Sequence, residues 1–254
     1  MNIVVTKDPI VLGEAAGRAA ATAILDAITQ KGEAHLILAT GTSQLETLRF
    51  LTLQPIPWQK VTLFHLDEYI GLPQSSPASF RRYLTERFIQ KVGRLKGIHL
   101  IHAEAEPQQE CDRLEGIMQR IAVDLALVGI GENGHLGFND PPADFHTRRS
   151  FLVVELDKGC RNQQLNEGWF QSLSEVPSRA ITMSIPQIMK SRKIICSVPE
   201  ARKAVAVGNC LGGPVIATHP ASILQNHPEC TCFLDEESCS LLDKTLYHGT
   251  PHLS

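Results

Sequence analysis

The chain has 254 residues, with 24 Lys and Arg against 27 Asp and Glu, so its formal net charge is −3. Apolar residues make up 43% of the chain and charged residues 20%, which is typical of a globular protein and excludes disorder. The near-neutral balance lacks the broad basic surface that binds nucleic acid or anionic lipid. No export signal or membrane span is predicted, and the odd number of cysteines, seven, indicates reduced thiols in a cytoplasmic protein.

Helical and strand patterns alternate along most of the chain. Apolar residues recur at three- and four-residue spacing over residues 12–28, which predicts a helix that Lys31 and Gly32 end. The other predicted elements are strands over 35–39, 61–66, 98–101, 123–128, 151–156, 193–198 and 229–234, and helices over 43–53, 77–92, 107–121 and 200–211. This alternation predicts an α/β fold, a mostly parallel sheet flanked by helices, in a single domain over residues 1–254. Such sheets bind ligands at the loops that follow the strands.

One cluster late in the chain, His227 with Cys230, Cys232 and Cys239, raises the possibility of a metal site. Paired zinc-binding cysteines are commonly separated by two residues, whereas Cys230 and Cys232 are separated by one. The alternation over residues 229–234 favours a strand with buried thiols instead. No metal site is therefore expected.

The first polar loop, Thr40-Gly41-Thr42-Ser43, lies between a predicted strand and a predicted helix. Hydroxyls and free backbone N–H groups at a helix N-terminus suit a phosphate group. The loop lacks the Gly-Lys-Ser/Thr ending of a nucleotide P-loop, which argues against ATP or GTP. A plain turn with a helix cap is the alternative.

The second loop begins with two adjacent acids, Asp67 and Glu68, after the apolar strand 61–66. A partly desolvated carboxylate at this position can have a raised pKa and act as a general base. Because side chains alternate along a strand, we expect only one of the two acids to face a pocket. A solvated turn is the alternative.

The third loop, residues 129–142, is rich in glycine. Gly129, Gly131 and Gly134 satisfy the Gly-x-Gly-x-x-Gly pattern of dinucleotide-binding folds. That pattern requires a helix to begin among the glycines and continue, but later glycines and two prolines interrupt any helix here. A dehydrogenase is therefore disfavoured.

The same loop presents Asn133, His135 and Asp140 together. A histidine oriented by a carboxylate is a common device for moving protons near neutral pH. A structural histidine is the alternative, although the flanking glycines and polar residues favour a functional one.

At these three loops the sequence resembles the glucosamine-6-phosphate deaminase family, also called glucosamine-6-phosphate isomerases. Residues 66–72 read Leu-Asp-Glu-Tyr-Ile-Gly-Leu and resemble the family's L-D-E-Y-x-G-L segment. Residues 129–139 resemble its G-x-G-x-x-G-H-x-x-F-N loop. The similarity runs over nearly the whole chain, from the first loop to Lys203. The wider superfamily includes 6-phosphogluconolactonases and the sugar-phosphate-sensing domains of some bacterial transcription regulators.

The resemblance implies a modified Rossmann-like domain that converts an amino-sugar phosphate, first of all glucosamine-6-phosphate, to fructose-6-phosphate and ammonia without a cofactor. Asp67 matches the base that moves a proton between C2 and C1 of the opened sugar. His135 matches the histidine that helps to open the pyranose ring. Asp140 takes the place of a family glutamate, and Asn133 that of a residue that is often aspartate. Both departures affect the expected details of ring opening. They also allow galactosamine-6-phosphate as an alternative substrate.

The resemblance also implies the residues that bind the substrate. Lys203 matches a lysine that reaches the phosphate. Gln164 falls where the family has an arginine, and Arg161 would replace that arginine only if the helix were shifted. The implied binding set is Thr40, Gly41, Thr42, Ser43, Glu68, Gly131, Gly134, Arg161, Gln164 and Lys203.

Two other functions compete with a deaminase. A 6-phosphogluconolactonase would share two of the loops, but lactonases usually carry arginine in place of Tyr69 and a different run after the histidine. A sugar-phosphate sensor would normally carry a helix-turn-helix domain, for which this chain has no spare residues. The expected partner is a small sugar phosphate, with no nucleic acid or membrane. A homo-oligomer is left open, and no allosteric site resembling that of the larger bacterial deaminases is found.

Overall fold

The structure, a computed structural model, describes residues 1–247. Its strands are β1 (Asn2–Thr6), β2 (Ala34–Leu38), β3 (Val61–His65), β4 (Asp67–Tyr69), β5 (Gly97–His99), β6 (Leu125–Val128), β7 (Phe151–Glu155), β8 (Arg179–Met183), β9 (Lys193–Val198) and β10 (Cys230–Asp235). Its α-helices are α1 (Pro9–Lys31), α2 (Leu45–Thr52), α3 (Phe80–Leu84), α4 (Gln90–Val92), α5 (Pro107–Met118), α6 (Lys158–Asn166), α7 (Ile185–Ile188) and α8 (Ala204–Val207).

Seven of these strands form a sheet that is parallel throughout, in the order β1-β10-β9-β6-β2-β3-β5. A second, antiparallel sheet has the order β4-β8-β7. Adjacent side chains of a central strand pack on opposite faces of the large sheet: Leu36 and Leu38 contribute to the cluster with α1 and α2, whereas Ile37 contributes to the cluster with α5. The expected α/β fold, a mostly parallel sheet flanked by helices, is confirmed.

The longest helix, α1, shows how the sequence sets its ends. Asp8 Oδ1 accepts hydrogen bonds from the backbone N–H groups of Ile10 and Val11, at 3.0 and 2.9 Å. Gly32 ends the helix with φ 85°, and its N–H donates to the Ile28 carbonyl. The predicted C-terminal end, with Lys31 as the last residue, is confirmed.

The late cysteine-rich segment forms the strand β10, as its alternation predicts. Cys230 and Cys232 are fully buried, and their sulfur atoms lie 4.0 Å apart. Among residues 1–247, no helix is both long and apolar enough to cross a membrane.

Several elements differ from those predicted. The strands β1, β4 and β8 were not predicted, and the two acids of the second loop lie in β4. The helix predicted over 77–92 begins at Phe80, where the Ser79 hydroxyl caps it, and continues through a π-helical turn, Thr85–Ile89. The helix predicted over 200–211 is a succession of short turns of three helical types.

Candidate active site

A cleft opens where the strands β2, β3 and β6 end. All three polar loops contribute to it, as expected for the C-terminal edge of a parallel sheet. The sequence-predicted residues that line it are Thr40, Gly41, Thr42, Ser43, Asp67, Gly131, His135, Gln164 and Lys203. The structure therefore brings nine of the predicted residues to one cavity.

The first loop turns into the cleft through Gly41, which has a φ of 90° that a residue with a side chain rarely adopts. The Tyr83 hydroxyl donates to the Gly41 carbonyl at 2.9 Å and fixes this turn. Thr42 then begins a 3-10 turn, Thr42–Gln44, that leads directly into α2. The hydroxyls of Thr42 and Ser43 thus lie at a helix N-terminus, where an anion is stabilised by backbone dipoles.

A buried cation completes this end of the cleft. Lys203 is only 2% exposed, and its Nζ makes no hydrogen bond or ion pair with any residue of 1–247. Burial lowers the pKa of Lys203 to about 8. Glu167, Glu132 and Glu200 oppose this shift through space but form no direct ion pair with Lys203, so the buried ammonium group favours the binding of an anion.

Arg202 was missed by the sequence analysis and lies beside the same loop. Its Nη2 donates to Thr42 Oγ1 at 2.7 Å. Three carboxylates surround the guanidinium: Glu132 at 2.9 Å, Glu167 at 3.3 Å and Glu200 at 2.5 Å. The signal that could have indicated it is its position next to Lys203, in the helix predicted to follow the strand 193–198.

The carboxyl group of Asp67 faces the cleft from the junction of the two sheets. The backbone N–H of Leu66 donates to the Leu38 carbonyl of β2 in the large sheet. The next residue, Asp67, is the strand partner of Thr182 in β8 of the small sheet. Asp67 is 5% exposed, and burial, with the neighbouring Glu68 carboxylate, raises its pKa to about 8. Gly137, at φ 59°, passes so close that an added Cβ would lie 3.4 Å from Asp67 Oδ2.

Glu68 does not line the cleft, and its role in substrate binding stays a prediction. Its carboxylate accepts hydrogen bonds from the backbone N–H groups of Tyr69, Phe80 and Arg81 and from the Ser79 hydroxyl, at 2.8–3.2 Å. These contacts fix the start of α3. The expectation that only one of the two acids faces the pocket is confirmed.

His135 lies at the wall of the cleft in a network of polar side chains. Its backbone N–H donates to Asn133 Oδ1 at 3.0 Å, and its Nδ1 lies 3.3 Å from Asp140 Oδ1. The Asn133 amide nitrogen donates to Asp140 at 3.0 Å and to Asp157 at 3.2 Å. Burial alone would raise the pKa of Asp140, but the nearby His135, the Asp157 N–H and the Asn133 amide lower it.

Two glycines of the third loop have separate roles. A Cβ at Gly131 would lie 2.2 Å from His135 Nε2, so the imidazole packs directly on a bare backbone. Gly134, at φ 85°, makes the turn before the histidine and does not line the cleft. Asn133 and Asp140 also lie behind His135, outside the lining.

The two candidates for the missing arginine differ in position. Gln164 lines the cleft, and its Oε1 accepts a hydrogen bond from the Tyr69 hydroxyl at 2.7 Å. Arg161 does not line it, because its guanidinium donates to the backbone carbonyls of Leu173 and Val176, at 2.6 and 3.0 Å. The binding role of Arg161 stays a prediction, and of the two side chains only Gln164 lines the cleft.

Comparison with known proteins identifies the family. Residues 7–233 match the family described as glucosamine-6-phosphate isomerases/6-phosphogluconolactonase. The chain belongs to this family. A glucosamine-6-phosphate deaminase of Bacillus cytotoxicus is 35% identical over 247 residues, 97% of this chain and 91% of that one. A second, of Exiguobacterium sibiricum, is 36% identical over 205 residues, 81% of this chain and 80% of that one.

Solved structures of the isomerase and lactonase family share the fold. A monomeric glucosamine-6-phosphate deaminase is similar with a TM-score of 0.85 at 33% identity, covering 95% of this chain and all of that one. Since that enzyme is monomeric, it lends no support to the homo-oligomer left open by the sequence. A 6-phosphogluconolactonase of Thermotoga maritima has a TM-score of 0.74 at 17% identity, covering 92% of this chain and 98% of that one. At that identity the likeness shows the fold alone.

Proposed function

We propose that the protein is a glucosamine-6-phosphate deaminase, which converts glucosamine-6-phosphate and water to fructose-6-phosphate and ammonia. The observation that carries this proposal is one cleft with a buried acid, Asp67, and a buried cation without a direct ion pair among the described residues, Lys203. The substrate has a phosphate group at C6 and an amino group at C2, so it complements both groups. The full-length relatives with about 35% identity carry the same name.

The phosphate binds at the end of the cleft that contains Lys203 and the loop 40–43. The ammonium group of Lys203, the hydroxyls of Thr42 and Ser43, and the start of α2 all favour an anion there. Gln164 lines the same cleft and supplies an amide in place of an arginine, which is weaker because the amide is neutral. Binding energy from the phosphate orients the distant carbons C1 and C2.

Asp67 transfers the proton between C2 and C1. Its carboxylate removes the proton from C2 of the open-chain aldose, and the aldehyde oxygen gains a proton as an enolamine forms. The same carboxyl group returns the proton to C1, which leaves an alcohol at C1 and an imine at C2. Water adds to the imine carbon, and ammonia departs. A pKa of about 8 makes Asp67 a stronger base than an exposed carboxylate, which suits proton abstraction near neutral pH.

His135 opens the pyranose ring by moving a proton to the ring oxygen. Asn133 cannot exchange a proton as an aspartate can, but it holds the backbone of His135 and links Asp140 to Asp157. Asp140 is one methylene shorter than glutamate, and it still lies 3.3 Å from the imidazole. The two departures from the family are thus compatible with an oriented histidine.

The proposed chemistry needs no metal or organic cofactor, since each step is a proton transfer, the addition of water or the departure of ammonia. All seven cysteines are free and buried. This is consistent with the reducing cytoplasm in which we propose that the enzyme acts.

The test measures ammonia and fructose-6-phosphate released from glucosamine-6-phosphate, with galactosamine-6-phosphate and 6-phosphogluconolactone as competing substrates. We expect both products in equal amounts from glucosamine-6-phosphate. The Asp67→Asn variant should lose about 10²–10⁴-fold in kcat, while glucosamine-6-phosphate still raises its melting temperature. Preference for galactosamine-6-phosphate would change the assigned sugar, and hydrolysis of the lactone without ammonia would overturn the deaminase.

A further inference from the structure

A buried thiol that the proposed mechanism does not use lies behind His135. Cys160 is near the start of α6 and is fully buried. Its sulfur, a ring nitrogen of His135 and a carboxylate oxygen of Asp140 all lie within 4.8 Å of one another. No other group of three His, Cys, Asp or Glu side chains in residues 1–247 comes as close to the geometry of a metal site.

A second observation, independent of the thiol, also points to a ligand. His135 Nδ1 is buried, and its contact with Asp140 Oδ1 at 3.3 Å does not have the geometry of a full hydrogen bond. Nearly all buried polar atoms make a full hydrogen bond, so a ring nitrogen with only this poorly aligned contact leaves a coordination position for a ligand. His135 is 8% exposed, and one of its ring nitrogens belongs to the group of three side chains.

The three donors are those that Zn²⁺ prefers. An imidazole nitrogen, a thiolate and a carboxylate bind Zn²⁺ at about 2.0–2.3 Å, which places tetrahedral ligands roughly 3.3–3.8 Å apart. The distances between the three ligand atoms therefore need to shorten by only about 1 Å for the group to hold the ion. Two of the ligands are anionic, so they neutralise a divalent cation, and the fourth position remains for water.

The ion has two directions of approach. His135 lines the cleft that we assign to the substrate, while Asp140 and Asp157 line a separate cleft on the surface. Asp157 also accepts the hydrogen bond of the Cys160 backbone N–H, which holds the cysteine at its place near the helix start.

We propose that His135, Asp140 and Cys160 form an inhibitory site for a thiophilic divalent cation such as Zn²⁺. On binding, the Cys160 S–H bond breaks, its proton leaves to solvent, and the sulfur lone pair forms the bond to the metal; no electron is transferred. The imidazole nitrogen that faces Asp140 becomes a metal ligand, so His135 can no longer move a proton to the sugar. The inhibitory effect rests on the proposed function, whereas the binding site does not.

The test uses the full-length, metal-free protein and Co²⁺ as a spectroscopic probe of the site. Wild type should bind one Co²⁺ with a thiolate-to-cobalt charge-transfer band that Zn²⁺ abolishes. Cys160→Ala should lack this band. Cys210→Ala, which removes another fully buried thiol packed against the same glycine-rich loop, should keep it.

The same proteins are assayed for inhibition by Zn²⁺. Removal of an outer partner of a metal ligand costs about 10–100-fold in affinity, so loss of the Cys160 ligand should raise the inhibitory Zn²⁺ concentration at least that much. Chelation with EDTA should restore wild-type activity. Cys160→Ser serves as a second variant, and the melting temperature of each variant shows that it is folded.

Two outcomes would overturn the site: no charge-transfer band in folded wild type, or a band of equal strength in Cys160→Ala. Equal Zn²⁺ inhibition of wild type and Cys160→Ala would overturn the inhibitory role. Because the band does not depend on turnover, a protein that binds Co²⁺ through Cys160 but releases no ammonia would refute the proposed function alone.

Discussion

The two ends of the cleft solve the problem of burying charge in different ways. At the acid end, Asp67 is buried without a cation, and its pKa rises to about 8, so it stays neutral. At the cation end, Lys203 is equally buried, and its pKa falls to about 8. Solvent exclusion thus moves an acid and a base towards the same value from opposite sides. Below pH 8 the acid is therefore mostly neutral and the lysine mostly charged, and the phosphate of the substrate supplies a counter-charge at the cation end.

Arg202 shows a third solution at the cation end. Its guanidinium stays charged because Glu132, Glu167 and Glu200 surround it. Arg202 therefore fixes the position of Thr42, whereas Lys203 is left for the anion. Of these two neighbouring cations, only Lys203 lacks a direct ion pair within residues 1–247, so we assign the phosphate contact to Lys203.

The sharpest test of this assignment is Lys203→Met. Loss of a hydrogen-bonded charge costs about 1.5–3 kcal/mol, so we expect KM for glucosamine-6-phosphate to rise about 10–100-fold. Lys193→Met, which removes a partly exposed lysine of β9, is the control and should leave KM unchanged. An unchanged KM in Lys203→Met would place the phosphate elsewhere.

The pH dependence of kcat/KM tests the two ends together. Activity should rise towards pH 8 as Asp67 loses its proton, and it should fall above pH 8 as Lys203 loses its charge. Lys203→Arg keeps a positive charge at every accessible pH, so it should remove the falling limb and keep the rising one. A falling limb that persists in Lys203→Arg would contradict the role of this lysine.

The smallest expected effect is on stability. The folded chain keeps the Asp67 proton up to about pH 8, whereas the unfolded chain releases it near 3.8. This group therefore favours folding at low pH, and its contribution is lost as the pH rises towards 8. Asp67→Asn should melt several degrees above wild type at pH 8, at about 2–4 °C per kcal/mol, and the difference should shrink at pH 5.

A control for this measurement is Asp26→Asn, because Asp26 is exposed and contributes no such burial. Its melting temperature should follow that of wild type at both pH values. If Asp67→Asn melts below wild type at pH 8, the folded protein stabilises the charged form of Asp67. That result would contradict the claim that burial raises the pKa of this acid.

The parts of the fold that local patterns encode could be predicted. Apolar runs mark strands such as 35–39 and 193–198 because those strands are covered on both faces of the parallel sheet. β4 could not be predicted, since it has three residues, two of them acidic, and exists only through its pairing with β8. Burial by a distant segment leaves no periodic signal in the segment that is buried.

The candidate site also has features that local sequence patterns encode and features that depend on tertiary contacts. Its loops could be predicted from their position after strands, but the direction of each side chain could not. Glu68 turns to the start of α3, and Arg161 turns to two backbone carbonyls, because tertiary contacts decide both. Local patterns do not indicate Arg202, because its partners Thr42, Glu132 and Glu167 are distant from it in the sequence.

The junction of the two sheets has a consequence for how activity arises during folding. Asp67 pairs with Thr182, about 115 residues further along the chain, and this pairing helps to bury the carboxyl group. A chain in which β3 has joined the large sheet, but β8 has not yet docked, contains the acid with an ordinary affinity for its proton. Because distant contacts form late, incompletely folded molecules contain Asp67 without the raised pKa that burial gives it. Proton transfer by Asp67 therefore requires that β8 has docked, so activity develops only when the fold is complete.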